Sequence, residues 1–219
     1  MKRILGLVLG LTIVLGFLGV RYMQNKTDSG LVIILNGPSS VGKSSILGSF
    51  QTKNKELWLG MGLDSLFVKV LPPKVYLEDK PEHHSVMRGV ASVDKDGNKI
   101  FDLRIGDAGQ KVIRGMHRTI EAYARTGNNV IVDYINYDSA WIGDLKSTLK
   151  GIKVFFVGVK ASLETIEERE KDRGTSPQGH ARSHYDTVHQ GVNYDLVIDT
   201  ENKTADESAE ELIQFIRSK

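Results

Sequence analysis

The hydrophobic positions along the chain fall into short, largely apolar runs that alternate with amphipathic stretches. Short continuous apolar runs are typical of parallel strands that are covered on both faces. They predict strands at residues 31–36, 58–63, 130–132, 153–159 and 196–198. Apolar positions three and four residues apart predict helices at residues 43–52, 65–70, 106–125, 141–149, 163–171 and 205–217. The alternation of strands with helices indicates an α/β fold with an open, mostly parallel sheet and right-handed crossovers.

One stretch departs from this alternation, between the second strand and the long central helix. Pro72 and Pro73 open a segment without regular periodicity. Within it, Asp94–Asn98 has the composition of a tight turn. That turn predicts a hairpin between strands at 91–93 and 99–103. We therefore expect an irregular excursion from the parallel sheet in this part of the chain.

The N-terminus is set apart by an uninterrupted apolar run. Residues 4–20 contain no charged side chain and directly follow Lys2 and Arg3. At about 1.5 Å per residue, a helix of this length spans about 26 Å, which is near the lower limit for crossing a bilayer. A basic start before an apolar stretch is also typical of a secretory signal, although no A-x-A-like cleavage site closes this run.

These patterns divide the chain into three parts. We predict an N-terminal anchor or signal segment at residues 1–23, a polar linker at 24–30 and one folded domain at 31–219. The preferred prediction is an uncleaved membrane anchor through residues 4–20, and the alternative is a cleaved signal.

Composition and charge narrow the class of protein. The chain has 219 residues, 40% of them hydrophobic and 26% charged, with 22 Gly and 5 Pro, which is ordinary for a globular protein. The sequence contains no Cys, which excludes disulfide scaffolds, thiolate zinc sites and thiol catalysis. Four of the 29 basic residues and none of the 27 acidic residues lie in positions 1–26, so the remainder carries a net charge of −2. A near-neutral domain does not favour a nucleic-acid partner, and we expect none.

The clearest chemical signal follows the first predicted strand. Gly37–Ser44 matches the pattern G-x-x-x-x-G-K-[ST] and lies between a buried strand and a helix, as a phosphate-binding loop requires. Backbone N–H groups in such a loop, together with the N-terminus of the following helix, hold phosphate groups. Nucleotide binding is assigned to Gly37, Pro38, Ser39, Ser40, Val41, Gly42, Lys43, Ser44 and Ser45.

Two side chains of this loop have expected roles in catalysis. Lys43 is placed to reach the β- and γ-phosphates, and the Ser44 hydroxyl is placed to bind Mg²⁺. ATP and Mg²⁺ are therefore the expected cofactors. The guanine-reading letters N-K-x-D occur at Asn25–Asp28, before the first strand, which does not suit a GTPase. The remaining length is too short for a motor or helicase core, and a small-molecule kinase is left.

Two carboxylates stand where ligands gather in an open α/β sheet, outside the carboxyl ends of the strands. Asp64 follows the second predicted strand and suits either a general base for the acceptor hydroxyl or a helix N-cap. Asp133 follows the third predicted strand. For this residue we favour a metal role in a Walker-B-like position, with capping of the next turn as the alternative.

A charged segment after the fourth strand supplies candidate cations. Arg169 and Arg173 are four residues apart, so they share one face of a helix and could close over the phosphates as a lid. A solvated surface helix with i,i+4 ion pairs is the alternative interpretation. Five histidines show no metal-binding spacing, and we expect them to lie in solvated loops: His83, His84, His180, His184 and His189.

Five segments, taken in order, resemble the chloramphenicol phosphotransferase-like kinases. They are ILNGPSSVGKSS, WLGMGLDSL, VIVDY, FFVGVKASLETIEEREKDRG and VHQGVNYDLVIDT, between about residues 32 and 198. The resemblance implies a P-loop kinase fold and transfer of the γ-phosphate of ATP to a hydroxyl of an aminodiol antibiotic. It places the catalytic aspartate at Asp64, which favours the general base over the cap. It places the phosphate-binding pair at Lys43 and Ser44, and the lid at Arg169 and Arg173.

Three features depart from that family. Its lid continues as R-G-D-R, whereas Arg173–Ser176 reads R-G-T-S, so Arg182 is a candidate replacement for the missing cation at Ser176. Residues 74–104 match poorly, in the region expected to hold the acceptor. The apolar run at residues 4–20 is foreign to the usual form of the family.

Together these observations predict a membrane-tethered, ATP-dependent phosphotransferase that acts on a hydroxyl of a small molecule. Because ATP is cytosolic, we expect the kinase domain on the cytosolic side of the membrane, with export after signal cleavage as the alternative. Two other functions fit the same sequence. One is a zeta-toxin-like kinase acting on a nucleotide sugar, and the other is a membrane-anchored ATP-binding sensor without transfer activity.

Overall fold

The computed structural model describes residues 29–78 and 80–219, without the side chains of residues 64–66, 68, 76 and 77. The apolar run at residues 4–20 and the N-K-x-D letters lie outside the described residues. Within the part of the chain that is described, no helix has both the length and the apolar character needed to cross a membrane.

The described residues form two sheets flanked by helices. In chain order the strands are β1 (Val32–Asn36), β2 (Trp58–Gly62), β3 (Met87–Val93), β4 (Lys99–Ile105), β5 (Asn129–Tyr134), β6 (Val154–Lys160) and β7 (Leu196–Asp199). The helices are α1 (Lys43–Lys53), α2 (Leu63–Val70), α3 (Pro73–Leu77), α4 (Asp107–Arg125), α5 (Ser139–Thr148), α6 (Leu163–Arg173), α7 (His180–His184) and α8 (Ala205–Arg217). A 3₁₀ turn spans Pro81–His83.

The main sheet has the order β2-β5-β1-β6-β7, and all of its strand pairs are parallel. β1 lies at its centre and is buried along its whole length. Alternate β1 side chains enter two apolar layers, because successive residues of a strand point to opposite faces. Ile34 packs with α4 and α5 on one face, and Ile33 packs with α1 and α8 on the other. The predicted doubly covered parallel sheet is confirmed.

The parallel arrangement decides where a site can form. All five carboxyl ends of the main strands lie at the same edge of the sheet, and the first turn of α1 begins there. β3 and β4 form a separate antiparallel hairpin whose register pairs Gly89 with Leu103. α7 packs against β4, with Phe101 N donating to Gly179 O at 3.1 Å. The hairpin therefore stands beside the edge that carries the site.

The structure corrects the prediction between the second strand and the central helix. The segment expected to be irregular contains α3 and a 3₁₀ turn, and the hairpin strands are longer than predicted. α7 was not predicted, since its sequence HARSH has no helical apolar period. Contact with β4 rather than local periodicity stabilises it. These elements depend on tertiary contacts, which a single-sequence pattern does not contain.

Candidate active site

The phosphate-binding loop connects β1 to α1 at the carboxyl edge of the sheet. Its last glycine, Gly42, has a φ of 101° at the N-cap position of α1, a backbone conformation that residues with a side chain rarely adopt. A Cβ at Gly37 would lie 2.4 Å from the Val159 carbonyl oxygen, so only glycine fits beside β6. The two glycines of the motif are thus required by the backbone path that brings the loop N–H groups together.

Lys43 anchors this loop to the neighbouring strand. Its side chain is only 4% exposed, and Nζ donates to the Pro38 carbonyl oxygen at 2.8 Å. The same Nζ lies 3.5 Å from Oδ1 of Asp133, which is 21% exposed on β5. Asp133 therefore faces the loop. The capping alternative for it is wrong, because Asp138 is the N-cap of α5 and accepts from Ala140 N.

A cavity of about 450 Å³ opens in front of the loop, and we call it the loop cavity. Its lining comes from the loop and α1, and from residues on β5, α6, α7 and the β7–α8 connection: Ser39–Ile46, Asp133, Ile135, Arg169, Arg173, Ser176, His180, Thr200, Lys203, Ala205 and Ser208. Lys43, Ser44, Asp133 and both predicted lid arginines thus line one space.

Both arginines of α6 line the loop cavity, with Arg169 half-buried and Arg173 exposed. Arg173 donates to the Ser39 hydroxyl at 3.2 Å and to the Ser176 hydroxyl at 2.6 Å. Arg169 donates to Oγ1 and to the carbonyl oxygen of Thr200, at 3.1 and 2.8 Å. This geometry favours the lid interpretation over a solvated surface helix.

Arg182 does not supply the missing lid cation. Its guanidinium makes two hydrogen bonds to the Glu167 carboxylate, at 2.6 and 2.7 Å, and a longer contact of 3.4 Å to Asp94. These carboxylates raise the pKa of Arg182 further, mainly through the hydrogen bond to Glu167. Arg182 is not among the residues lining the loop cavity, and it connects α6 to the turn of the hairpin instead.

The structure describes the backbone of Asp64 but not its side chain. Its backbone is the second residue of α2, directly after β2, and the N-cap position is occupied by Gly62. The position therefore does not fit the N-cap alternative. The role of Asp64 as general base stays a prediction.

A buried histidine that was not predicted lies behind the loop. His184 is 4% exposed, and its Nε2 accepts the backbone N–H of Ser39 at 3.0 Å. Burial holds the pKa of His184 well below its ordinary value, and the nearby charges of His180 and Lys43 act in the same direction. Its neutral form is the one that can accept from the loop. The expectation of solvated histidines is wrong for His180 and His184, which are both buried.

Glu170 was also missed, because it stands among charged residues of α6. It is 2% exposed, and its carboxylate accepts from Gly179 N and Ala181 N at 2.8 Å each. The carboxylate fixes the turn that follows the lid helix and begins α7. An acidic residue at the buried face of an otherwise polar helix has no distinct sequence signal.

A second cavity of about 510 Å³ lies between the hairpin and the end of β5, and we call it the hairpin cavity. It is lined by Asp102–Ile105, Gln110, Asn136–Ser139, Trp141, Thr187 and Gln190. Asn136 is 3% exposed, and its Oδ1 has no hydrogen-bond partner among the described residues. A buried polar atom without a partner is costly, and such atoms often face a ligand or water.

The two cavities share a wall. Asn136 N donates to Oδ1 of Asn36, the residue that directly precedes the phosphate loop, at 3.1 Å. The Tyr137 hydroxyl hydrogen-bonds Nε2 of His180 at 3.0 Å, and His180 lines the loop cavity. The hairpin cavity therefore borders the loop cavity, and the two have separate linings.

A third space follows the outer edge of β2, and we call it the edge groove. It measures about 750 Å³ and reaches Ser44 and Asp133 at one end. Its remaining walls are more apolar than those of the hairpin cavity, with Leu47, Leu59 and Met61 among them. Among the described residues, no group of His, Cys, Asp and Glu side chains has the arrangement of an all-protein metal site.

The chain is similar to a known sequence family and to curated proteins. The profile of the family described as "Chloramphenicol phosphotransferase-like protein" matches residues 30–217. A "Putative O-phosphotransferase" of Mycobacterium tuberculosis strain CDC 1551 is 33% identical over 185 residues, covering 84% of this chain and 80% of that protein. The protein of the same description from strain H37Rv matches to the same extent.

Solved structures share the fold at low sequence identity. The APS kinase CysC of M. tuberculosis, solved with AMPPNP and APS, has a TM-score of 0.58 and 18% identity, covering 87% of this chain and 99% of its own. A gluconokinase from Sinorhizobium meliloti has a TM-score of 0.55 and 14% identity, with coverages of 88% and 94%. The tunicamycin resistance protein of Deinococcus radiodurans has a TM-score of 0.54 and 19% identity, with coverages of 85% and 95%.

Proposed function

Because this chain belongs to the chloramphenicol phosphotransferase-like family and is an ATP-dependent phosphotransferase, we propose that it phosphorylates a hydroxyl group of a small polar molecule. One observation carries the proposal. Lys43, Arg169 and Arg173 line the loop cavity together with the carboxylate of Asp133. Phosphoryl transfer depends mainly on positioning and on stabilising charge at the phosphates, and this arrangement suits both.

We assign the binding of ATP, the phosphoryl donor, to the loop cavity, and we call this the donor half of the site. The loop N–H groups and Lys43 hold the phosphates of ATP, and the lid arginines neutralise charge that develops on the transferring group. The Ser44 hydroxyl and the Asp133 carboxylate are hard oxygen donors of the kind that Mg²⁺ prefers, and they would hold a Mg²⁺ that neutralises phosphate charge. Lys43 and Asp133 already lie 3.5 Å apart, so the cation and the carboxylate are arranged around the same space.

We assign the binding of the small molecule that receives the phosphoryl group to the hairpin cavity, and we call this the acceptor half of the site. Asn136 lines this cavity and has a buried amide oxygen without a partner among the described residues, and the cavity is of a size that suits a small ligand. The lining also contains the carboxylates of Asp102, which is paired with Arg104 at 2.9 Å, and of Asp138, which accepts from Ala140 N at 2.9 Å, and both can accept further hydrogen bonds. An acceptor that carries several hydroxyl or amine donors fits this lining. Asp64 is proposed to accept the proton of the reacting hydroxyl.

Phosphorus NMR on the full chain in detergent, with Mg²⁺ and ATP, tests this function. Chloramphenicol, gluconate and a nucleotide sugar are supplied in separate tubes, each beside a Lys43→Ala control. A new phosphomonoester signal that the control lacks establishes transfer and the acceptor class. ATP binding without any acceptor-dependent signal across a wide panel of alcohols would contradict transfer and favour a nucleotide sensor.

A further inference from the structure

The N-terminal segment joins the domain at a fixed place. Gly30 N donates to the Ala124 carbonyl oxygen at 2.8 Å, and Val32 N donates to the Lys153 carbonyl oxygen at 3.0 Å. A Cβ at Gly30 would lie 2.0 Å from the Asn128 carbonyl oxygen, so the chain passes tightly between the end of α4 and the start of β6. This point is at the amino ends of the strands, opposite the carboxyl edge with the phosphate loop.

Exposed cations surround this entry point. They are Arg125, Lys150, Lys153, Arg217 and Lys219, and we call this group the basic end. Two contacts show that the group is continuous: Arg125 donates to the Lys150 carbonyl oxygen at 3.2 Å, and Lys153 donates to the main-chain oxygen of Lys219 at 3.2 Å. The last turns of α4 and α8 and the turn between α5 and β6 thus carry one positive surface.

Two carboxylates lie near the basic end and reduce its charge only in part. Glu121 pairs with Arg125 at 2.8 Å, and Glu56 accepts from the Asn129 side chain at 3.3 Å. Cations at helix C-termini complement the helix dipole, which accounts for Arg125 and Arg217. Lys153 lies before a strand, where the dipole gives no such reason. A net excess of exposed cations therefore remains around the entry point.

The apolar run at residues 4–20 lies a short distance along the chain from this surface. Residues 21–28 separate the run from the described domain, and even fully extended they reach at most about 28 Å. This connection contains two more cations, Arg21 and Lys26, against one acid, Asp28. Any bilayer that holds the apolar run is therefore within reach of the basic end.

We propose that the basic end docks on the anionic phospholipid headgroups of the bilayer that holds residues 4–20. Basic residues next to an anionic leaflet are attracted within a Debye length, and cytoplasmic leaflets are the anionic ones. Docking there places the domain on the side that contains ATP. It also turns the phosphate loop away from the bilayer, because β1 separates the two ends by about 17 Å. The inference does not depend on the transfer chemistry.

The chain contains no Cys, so single labels report its orientation directly. The full-length protein is reconstituted into phosphatidylcholine vesicles with or without phosphatidylglycerol, all containing a headgroup-linked energy-transfer acceptor. A donor fluorophore is attached to Thr126→Cys at the basic end or to Asp172→Cys beside the lid. We expect stronger transfer from position 126 than from 172, an increase with phosphatidylglycerol and a loss at high salt.

Charge reversal separates docking from insertion of the apolar run. The pair Lys150→Glu and Lys219→Glu is compared with Lys95→Glu and Lys111→Glu, which makes the same change in net charge away from the basic end. Each lysine near an anionic surface is worth roughly fivefold in binding, so the loss of two should weaken docking on the order of 25-fold, and the two negative charges that replace them should weaken it further. The second pair should leave it nearly unchanged.

Several results would overturn the proposal. They are equal energy transfer in neutral and anionic vesicles, equal loss with both charge-reversal pairs, and a label at 172 closer to the headgroups than one at 126. Failure of the full chain to float with vesicles, or loss of residues 1–20 from the purified protein by mass spectrometry, would overturn it as well. None of these results bears on whether the domain transfers phosphate, so the two proposals fail independently.

Discussion

The loop cavity and the hairpin cavity lie side by side but are assembled in different ways. Much of the loop cavity comes from one continuous segment, Ser39–Ile46, and its charged groups have partners across the space. The hairpin cavity takes its lining from four separated parts of the chain, and it contains a buried amide oxygen without a partner. The proposed nucleotide site is thus encoded largely by one local segment, whereas the proposed acceptor site is encoded by distant segments.

This difference has a physical reason. Phosphate groups are held mainly by backbone N–H groups and by Lys43, and a short motif is enough to fix such a backbone path. An acceptor is recognised by side chains, and their positions depend on how the β3–β4 hairpin packs beside β5. Phosphate binding should therefore survive changes in the hairpin cavity, and acceptor binding should survive changes in the lid.

The largest effect is expected from the lid. Arg173→Ala should lower the rate of transfer by about 10³–10⁵, because an arginine over the transferring phosphoryl group stabilises charge in the transition state. Arg182→Ala is the matched control, since Glu167 and Asp94 hold that arginine outside the loop cavity. Single-turnover rates with saturating ATP measure both variants. Equal losses in the two variants would show that the effect does not depend on the position of Arg173 at the loop cavity.

A smaller loss is expected at the start of α2, directly after β2. Asp64→Asn should lower turnover by about 10²–10⁴, the usual effect of removing a positioned base, while ATP binds with unchanged affinity. Turnover and nucleotide titration on the same preparation measure the two properties. Near-normal turnover in the Asn variant would rule out Asp64 as the base and direct attention to Asp133.

The sequence predicted most of the charged side chains that line the loop cavity. The strand and helix on either side of Gly37–Ser44 were identified by their periodicity, and the four-residue spacing of Arg169 and Arg173 placed them on one helix face. The structure brings both arginines to the loop. Here the information is local, because a motif, a strand and a helix follow one another directly along the chain.

The remaining site residues depend on contacts between distant segments. The bond from Ser39 to His184 joins residues 145 positions apart, and that from Asn136 to Asn36 joins residues 100 positions apart. Neither His184 nor Glu170 belongs to a motif, and α7 forms only where β4 supports it. The prediction that Arg182 completes the lid failed for the same reason, because Glu167 on the lid helix itself binds Arg182 outside the loop cavity.

A substitution of Asn136 tests acceptor binding in the hairpin cavity separately from ATP binding. Asn136→Leu keeps a similar volume and removes the unpaired amide, so the KM for the acceptor should rise about 5- to 150-fold while the KM for ATP is unchanged. Because the buried oxygen has no partner, the same variant should be as stable as the parent or more stable. Initial rates and a thermal melt measure the two effects.

Thr187→Val is the control for that variant, since the Thr187 hydroxyl already donates to the His184 carbonyl oxygen at 3.3 Å. It should change the acceptor KM much less. An unchanged acceptor KM in Asn136→Leu would remove the hairpin cavity from consideration. The edge groove, which reaches Ser44 and Asp133 from the other side, would then be the place to test.

The smallest effect concerns the support of the loop from behind. Folding lowers the pKa of His184, mainly through burial, so the unfolded chain takes up a proton at a higher pH than the folded chain. The free energy of unfolding should therefore fall as the pH drops below about 6.5, by up to about 1 kcal/mol per pH unit for this one group. Above that pH, His184 is neutral in both states and contributes no slope.

His184→Asn isolates this group, because an amide oxygen can accept from Ser39 without titrating. Urea unfolding of the parent and the variant across this pH range should show a shallower dependence in the variant, while the depressed pKa values of His117 and His189 contribute equally to both. A parallel measurement of ATP affinity should show the parent losing affinity in acid and the variant losing less. Identical slopes in both measurements would mean that the loop keeps its shape without this histidine. The phosphate loop would then depend on its local sequence alone and not on the distant His184.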